Sequence, residues 1–201
     1  MGNINTAEYW DQVYWAEGGN TWRRYPGCYS RIIDRIGPGQ QVLDVGGGVG
    51  ILCRLLQKSG CYPFLIDISP VAIQIAAAVY GVPGTVMKVP PMTAILTYDW
   101  IVATEFLEHL TDPGAFLAEA VKHAPKAIYS VPNNRLGPED EPEHQQKFTE
   151  KKLRSLLKDY YSEVEIESFR ELFPTGRVVQ QGNTLKAEGI DMPTLIAYCE
   201  V

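Results

Sequence analysis

Residues 41–50 read QVLDVGGGVG, and this stretch decides the fold of the chain. The short apolar run 42–45 predicts a buried strand. The glycines after it predict a tight turn before a helix that begins near Ile51. Because glycine lacks a Cβ atom, the turn can lie close against a ligand, and the free N–H groups of the new helix face the same gap. A small, partly anionic molecule is the expected occupant.

A dinucleotide-binding turn reads G-x-G-x-x-G/A, and this chain does not match it. Counted from Gly46, the last glycine position falls on Ile51, and counted from Gly48 it falls on Cys53. The alternative without a function is a glycine-rich turn that binds nothing. The spacing that does fit is D-x-G-x-G-x-G, read as Asp44, Gly46, Gly48 and Gly50.

Composition restricts the partners of the chain. Its 201 residues predict one domain, 1–201, with enough chain for a core. The net charge of −6 argues against nucleic-acid binding, which needs a basic surface. No run is suited to span a membrane, and the polar N-terminus lacks the apolar region of a signal peptide, so we expect a cytoplasmic protein. The four cysteines show no zinc spacing, and reduced thiols are expected. The oligomeric state is left open.

Strands and helices alternate along most of the chain. Serine or aspartate before proline, at 69–70 and 112–113, predicts two helix starts, and Thr149 predicts a third. This alternation predicts an α/β fold with a doubly wound, mostly parallel sheet. Residues 170–190 are rich in turn formers and are not assigned. After the strand at 42–45, further strands are predicted at 62–67, 85–89, 98–104, 127–131, 161–169 and 193–200.

The second predicted strand, YPFLID at 62–67, ends in Asp67. In nucleotide sites built on a βαβ unit, an acidic residue at about this distance from the glycine turn accepts hydrogen bonds from the ribose hydroxyls. Asp67 is therefore a candidate ligand for a ribose. The alternative is that its carboxylate caps the turn or the helix that begins at Ser69-Pro70.

Two segments outside the strands are candidates for substrate contacts. Residues 1–36 are rich in aromatic side chains and are expected to form a helical segment, broken at 18–20, that is either a cap on the domain or a lid over the site. The polar loop 132–147 is too long for a simple connection. The candidate substrate-binding residues in these segments are Tyr9, Tyr14, Trp22, Asn133 and His144.

Three motifs carry a resemblance to a known family. The D-x-G-x-G-x-G turn resembles motif I of the class I S-adenosylmethionine (SAM) dependent methyltransferases. The stretch YDWIVATEFLEHLTDPGAFL at 98–117 resembles the "EVLEH…DP" stretch of the ubiquinone/menaquinone-type small-molecule methyltransferases. SVPNN at 130–134 and EHQQKFTEKKLRSLL at 143–157 resemble the segment after the fifth strand in that group. The resemblance covers about residues 30–169 and the last strand. It implies a Rossmann-like, seven-stranded sheet with helices on both faces and an antiparallel last strand.

The resemblance also implies a role for each matching residue. Asp44 would fix the glycine turn or reach the amino group of SAM through water. Asp67 would hold the ribose hydroxyls, Ile68 would flank the adenine, and Glu105 would lie near the methionine end. Glycines would pass under the methionine part of SAM, at Gly46, Gly47, Gly48 and Gly50.

The chain departs from the family pattern at two places. Gly47 stands where the family often has cysteine, which we interpret as harmless. The family often has an acidic residue just after the third strand, which accepts a hydrogen bond from the adenine amino group, whereas residues 87–91 here read MKVPP. A backbone carbonyl in its place, or a low cofactor affinity, is expected.

A nucleophile that carries an acidic proton needs a base as well as the methyl donor. His109, in the family-like stretch, and His144, in the long loop, are the candidate catalytic bases. The alternatives are a structural contact for His109 and a solvated loop side chain for His144. The acidic residues 139–143 beside His144 are interpreted as solvated, and no metal site is predicted.

The sequence therefore predicts an enzyme that uses SAM to methylate an O, N or C nucleophile of a small molecule and releases S-adenosylhomocysteine. The first alternative is a catalytically silent protein of the same fold that binds SAM or acts as an assembly partner. The missing acidic residue after the third strand keeps it open. The second alternative, a nicotinamide-dependent reductase, is disfavoured by the failed dinucleotide fingerprint.

Overall fold

The structure is a computed structural model that describes residues 3–17, 26–93, 96–181 and 184–201. For residues 17, 172–181 and 184–191 it describes the backbone alone. The predicted substrate residue Trp22 and the predicted chain break at 18–20 lie outside the described residues. Within the described part of the chain, no helix is long and apolar enough to cross a membrane.

Helices and strands alternate in chain order, as the sequence predicts. A π-helical turn, Ala76–Tyr80, continues α4, and a 3-10 turn, Leu107–His109, comes after β4. The α-helices are α1 (Ala7–Glu17), α2 (Pro26–Ile36), α3 (Ile51–Lys58), α4 (Pro70–Ile75), α5 (Pro113–His123) and α6 (Glu150–Lys158). The strands are β1 (Gln41–Val45), β2 (Tyr62–Asp67), β3 (Gly84–Val86), β4 (Trp100–Thr104), β5 (Lys126–Pro132), β6 (Glu163–Gln181) and β7 (Thr184–Glu200).

The strands form one seven-stranded sheet in the order β3-β2-β1-β4-β5-β7-β6. Strands β3, β2, β1, β4 and β5 pair in parallel, and β7 is antiparallel to both of its neighbours, β5 and β6. The last strand is therefore the one that runs against the others. This confirms the predicted mostly parallel, doubly wound sheet with an antiparallel last strand.

Helices cover both faces of the sheet, because alternate residues of the strands point to opposite sides. On one face, α2 and α3 pack on the strands through buried residues that include Ile32, Leu52 and Leu56. On the other face, α5 and α6 pack through buried residues that include Phe116 and Leu153. Both predicted helix layers are present, and the central strands are buried between them.

The predicted helix starts are confirmed by side-chain caps. Ser69 Oγ accepts a hydrogen bond from Ala72 N, and Thr149 Oγ1 accepts one from Lys152 N. Asp112 caps α5 in the same way, with Pro113 in its first turn. Each cap satisfies an N–H group that the helix itself leaves without a partner. The serine and aspartate caps come soon after the ends of β2 and β4, so they help to place the loops that surround the site.

Three strands, β3, β6 and β7, differ clearly from their predicted bounds. β3 ends at Val86 rather than Val89, and two prolines lie beyond it at positions 90 and 91, which have no N–H group to donate to a neighbouring strand. β6 does not end at Phe169 but continues to Gln181, and β7 already begins at Thr184. The unassigned residues 170–190 are thus mostly a long extension of the β6–β7 hairpin, which bulges between Pro174 and Val178.

Candidate active site

A cavity of about 940 Å³ opens where the strand order reverses. The chain runs outward from β1 through β2 to β3 on one side, and through β4 to β5 on the other. The loops after β1 and β4 therefore part at the carboxyl ends of these strands. In open α/β sheets this is where ligands bind. The volume lies within the usual range for small-molecule sites.

The predicted glycine turn forms one wall of this cavity. Gly46, Gly48 and Gly50 have φ angles of +68°, +56° and +81°, which side-chain-bearing residues rarely adopt. Gly46 N donates a hydrogen bond to Ile66 O at 2.8 Å, which ties the turn to β2. A Cβ atom on Gly46 would overlap the ring of Phe106. Gly46, Gly47 and Gly48 line the cavity, whereas Gly50 packs beneath them against Ala76.

Asp44 lies behind the turn and is fully buried. Its Oδ2 accepts a hydrogen bond from Cys53 Sγ at 3.3 Å, and its Oδ1 has no partner among the described residues. A Cβ atom on Gly47 would overlap this carboxylate and come within 2.6 Å of Leu65 Cδ1. Burial raises the pKa of Asp44 to about 7. In this chain the turn closes over Asp44, and Gly47 leaves room for it.

Asp67 reaches the same wall from β2. Its Oδ2 accepts a hydrogen bond from Gly48 N and its Oδ1 accepts one from Ser69 N, both at 2.9 Å. Burial raises its pKa to about 6, and the two backbone hydrogen bonds oppose that rise. Asp67 therefore joins the turn to the start of α4 while it lines the cavity. Each carboxylate oxygen keeps a second lone-pair direction that can accept from a ligand hydroxyl.

Ile68 and residues 87–90 line the cavity beside Asp67, which is where residues that flank an adenine are expected. Met87 N donates to Asp67 O at 2.8 Å, so the segment after β3 is held close to β2. The acidic residue that often lies here in the family is absent, as the sequence indicates. Met87, Val89 and Pro90 make this part of the wall mostly apolar, and Lys88 also lines it.

Glu105 follows β4 and lines the same cavity. Its φ of +47° is unusual for a residue with a side chain, and such strain is common at functional sites. Ser130 Oγ donates to Glu105 Oε1 at 2.9 Å, which fixes the carboxylate. Burial raises its pKa to about 7, Ser130 lowers it, and Glu171 raises it further.

The two candidate bases come together at the far end of the cavity. The rings of His109 and His144 meet edge to face, with their centroids 4.7 Å apart. His109 Nδ1 lies 3.2 Å from Glu143 O, and His144 Nδ1 contacts Leu136 O. Burial lowers the pKa of His109 to about 4, and His144 lowers it further. The ring of His109 is therefore neutral near pH 7.

A third group at this end, Glu108, is not among the predicted site residues. Its side chain is 1% exposed, and neither carboxylate oxygen has a hydrogen-bond partner among the described residues. Glu108 stands in the family-like stretch at 98–117, so the motif contained the signal. Its burial depends on the loop 132–147, whose path is not visible in the sequence.

Helix α1 contributes part of the cavity wall. Tyr14 lines the cavity, and its hydroxyl would lie 2.9 Å from a Cβ atom on Gly48. Trp10, which is not among the predicted site residues, also lines it and packs edge to face on His109 at 5.2 Å. Asp11 Oδ1 accepts a hydrogen bond from Val71 N at 3.0 Å and one from Ser69 Oγ. α1 is thereby attached to the N-terminus of α4.

Two of the predicted substrate-binding residues, Tyr9 and Asn133, are not among the residues that line the cavity. Tyr9 packs edge to face on Trp10, with ring centroids 5.2 Å apart. Asn133 Nδ2 donates to Ser168 Oγ at 3.2 Å, which directs this side chain toward β6. Both side chains thus have protein partners in the structure.

A protein-family match over most of the chain identifies its family. Residues 21–173 match the protein family described as "Methyltransferase domain". The chain belongs to this family. The predicted class, a class I SAM-dependent methyltransferase, is therefore confirmed at the level of family and fold.

Individual relatives agree with this assignment. A ubiquinone biosynthesis O-methyltransferase of Rhodopseudomonas palustris is 32% identical over 87 residues, which cover 40% of this chain and 34% of that protein. The match thus spans about a third of the length of that relative. A SAM-dependent methyltransferase of Archaeoglobus fulgidus superimposes with a TM-score of 0.67 at 17% identity, over 93% of this chain and 99% of that one.

A further solved structure carries a cofactor. The magnesium protoporphyrin IX methyltransferase of Synechocystis, with bound SAM, superimposes with a TM-score of 0.56 at 19% identity, over 100% of this chain and 86% of that one. At this identity the likeness concerns the fold. It establishes that a protein of this architecture binds SAM.

Proposed function

We propose that the chain is an enzyme that binds SAM in the cavity and transfers the methyl group to an O, N or C nucleophile of a small molecule. The observation that carries this proposal is the meeting of the glycine turn and the buried Asp67 carboxylate on one wall of the cavity. Both lie at the carboxyl ends of the strands where the sheet order reverses. The fold relatives support the choice of cofactor.

The residues present fit the parts of SAM. Asp67 would accept hydrogen bonds from the ribose hydroxyls, and Ile68 with Met87 would flank the adenine. The methionine part would lie over Gly46, Gly47 and Gly48, which line the cavity without side chains. Glu105 would face its ammonium group, since a buried carboxylate favours a cationic partner.

Bound SAM supplies an electrophilic methyl group on a sulfonium, so the chain itself has to align, desolvate and deprotonate the acceptor. Trp10 and Tyr14 of α1 exclude water at the mouth of the cavity. His109 and His144 are the proposed proton acceptors, because a neutral imidazole keeps a free lone pair. We place the acceptor between these rings and the glycine turn.

The walls favour a neutral or cationic acceptor. Glu105, Glu108, Glu141 and Glu143 line the part of the cavity near the histidines. An anionic acceptor would meet the carboxylates of Glu141 and Glu143 there. An oxygen nucleophile is the first choice, because the sequence relatives are named O-methyltransferases.

The location that we propose is the cytoplasm. Cys28, Cys53, Cys61 and Cys199 are all buried and free of disulfides. Free thiols are typical of a reducing compartment.

Calorimetry tests the cofactor directly. We expect SAM and S-adenosylhomocysteine each to bind the chain at one site, and NADPH, the control nucleotide, to give no heat. Binding of NADPH alone would overturn the proposal. A panel of phenols and amines with SAM labelled in the methyl group then tests transfer. Cofactor binding without label transfer to any acceptor in the panel would favour the catalytically silent alternative.

We also propose that α1 is a lid over the cavity rather than a fixed cap. Replacing Asp11 by Ala removes the hydrogen bonds to Ser69 and Val71, which should weaken the attachment of α1 by about 1–2 kcal/mol. We expect SAM to dissociate faster from this variant, as measured by stopped-flow tryptophan fluorescence. The control is Glu8→Ala, on the exposed side of the same helix. An unchanged dissociation rate in Asp11→Ala would show that α1 is only a cap.

A further inference from the structure

Three groups that can ligate a metal ion meet at the far end of the cavity. Glu108 and His109 belong to the 3-10 turn after β4, and His144 belongs to the loop after β5. β4 and β5 are parallel neighbours, so the loops at their carboxyl ends lie side by side. One carboxylate oxygen of Glu108 and one nitrogen of each ring lie within 4.8 Å of one another.

The Glu108 carboxylate lacks the partner that burial demands. Its side chain is 1% exposed, and both oxygens are without a hydrogen bond among the described residues. The backbone of this residue is firmly held, because Glu108 O accepts hydrogen bonds from Gln145 N at 2.7 Å and Gln146 N at 3.0 Å. A buried carboxylate is stable only with a proton or a cation beside it.

The two imidazoles are oriented as metal ligands usually are. His109 Nδ1 faces the backbone oxygen of Glu143, and His144 Nδ1 faces that of Leu136. A carbonyl oxygen only accepts, so in each neutral ring the proton is on Nδ1 and the lone pair is on Nε2. Metal-binding histidines commonly donate their other N–H group to a backbone carbonyl in this manner. Both rings thus lie beside a carboxylate that has no hydrogen-bond partner among the described residues.

We propose that Glu108, His109 and His144 bind a divalent transition-metal ion, for which Zn²⁺ is the best match. Two imidazole nitrogens and one carboxylate suit Zn²⁺, whereas Mg²⁺ and Ca²⁺ prefer oxygen ligands. Bonds of about 2.0–2.2 Å to one ion require the three atoms to approach to about 3.5 Å, a side-chain movement of about an ångström. The acidic loop residue Glu139, in contrast, is paired with Lys147 and takes no part.

The site keeps at least one open coordination position. All three ligands line the cavity, so that position faces the place where the acceptor enters. A hydroxyl bound there would lose its proton more easily, because a bound zinc ion strongly lowers the pKa of an oxygen ligand. This role rests on the proposed function, whereas the metal site itself does not. With the ion bound, the two rings are ligands rather than free bases.

Zinc binding to the full chain tests the site without cofactor or acceptor. The protein is freed of metal with a chelator, and Zn²⁺ is then titrated in competition with a chromophoric chelator. We expect one tight Zn²⁺ per chain, with affinity reduced by about 100-fold or more in Glu108→Gln and in His144→Gln. His123→Gln, in α5, is the control and should bind as the unchanged chain does.

Cobalt provides a second readout that requires no variant. Co²⁺ added to the metal-free chain should give the visible absorption of a nitrogen- and oxygen-ligated ion, and Zn²⁺ should displace it. The absence of saturable Zn²⁺ binding in the unchanged chain would overturn the proposal. Equal binding by Glu108→Gln, His144→Gln and the unchanged chain would overturn it as well. In either case Glu108 is a protonated acid beside the two imidazole rings. Failure here leaves SAM binding untouched, so the two proposals are separable.

Discussion

Replacing Asp67 by Ala is expected to weaken SAM binding by about 5- to 150-fold, which corresponds to about 1–3 kcal/mol. Asp67 is 5% exposed, and its oxygens already accept hydrogen bonds from Gly48 N and Ser69 N. The substitution removes the acceptor proposed for the ribose and frees two buried N–H groups. Both effects act on the same wall of the cavity, and isothermal titration with SAM measures their sum.

A second variant distinguishes the binding of the ribose by Asp67 from the support that Asp67 gives to the glycine turn. Asp67→Asn keeps one oxygen acceptor and nearly the same shape, so we expect a loss of affinity smaller than that of Asp67→Ala. Asp34→Asn, on the exposed side of α2, is the control for a general change of charge. If Asp67→Ala binds SAM as tightly as the control, Asp67 is a turn cap and the ribose lies elsewhere.

The parts of the site that sequence-based reasoning placed correctly depend on local signals. Gly46 and Gly48 need left-handed backbone angles, and this requirement is visible in one chain segment. Asp67 ends a strand that is parallel to β1, so its position beside the turn follows from the topology alone. Caps such as Ser69 also act within a single turn.

The parts of the structure that sequence-based reasoning missed depend on contacts between distant segments of the chain. Glu108 was not predicted, because it is far from His144 in the chain and the two are brought together only by the fold of the loop after β5. The β6–β7 hairpin is similar, because the pairing of 170–181 with 184–193 depends on the partner strand rather than on local propensity. The segment contains Pro174 and Gly176, which locally indicate a turn.

Replacing Asp44 by Asn is expected to remove a large contribution to the pH dependence of stability. The pKa of Asp44 rises from 3.8 to about 7 through burial. Because the folded-state pKa is the higher one, the folded chain binds the proton more tightly than the unfolded chain does. The contribution of Asp44 to stability is therefore fully present below about pH 4. It decreases as the pH rises from about 4 to about 7. The shift corresponds to ~4 kcal/mol.

The asparagine variant lacks this titration, so its free energy of unfolding should fall less between pH 5 and pH 8. Urea denaturation at several pH values measures the difference between the two chains, and the other buried carboxylates cancel in that difference. At pH 8 the variant should be the more stable, because it buries no charge at this position. The gain should be less than ~4 kcal/mol, because the amide N–H group takes the place of Asp44 Oδ1, which has no partner among the described residues, and is itself left without an acceptor. Asp159→Asn, exposed at the end of α6, is the control and should change stability by no more than about 0.5 kcal/mol at any pH. Parallel pH profiles for Asp44→Asn and the unchanged chain would mean that Asp44 is charged in the folded state and that a cation or water molecule reaches it behind the glycine turn.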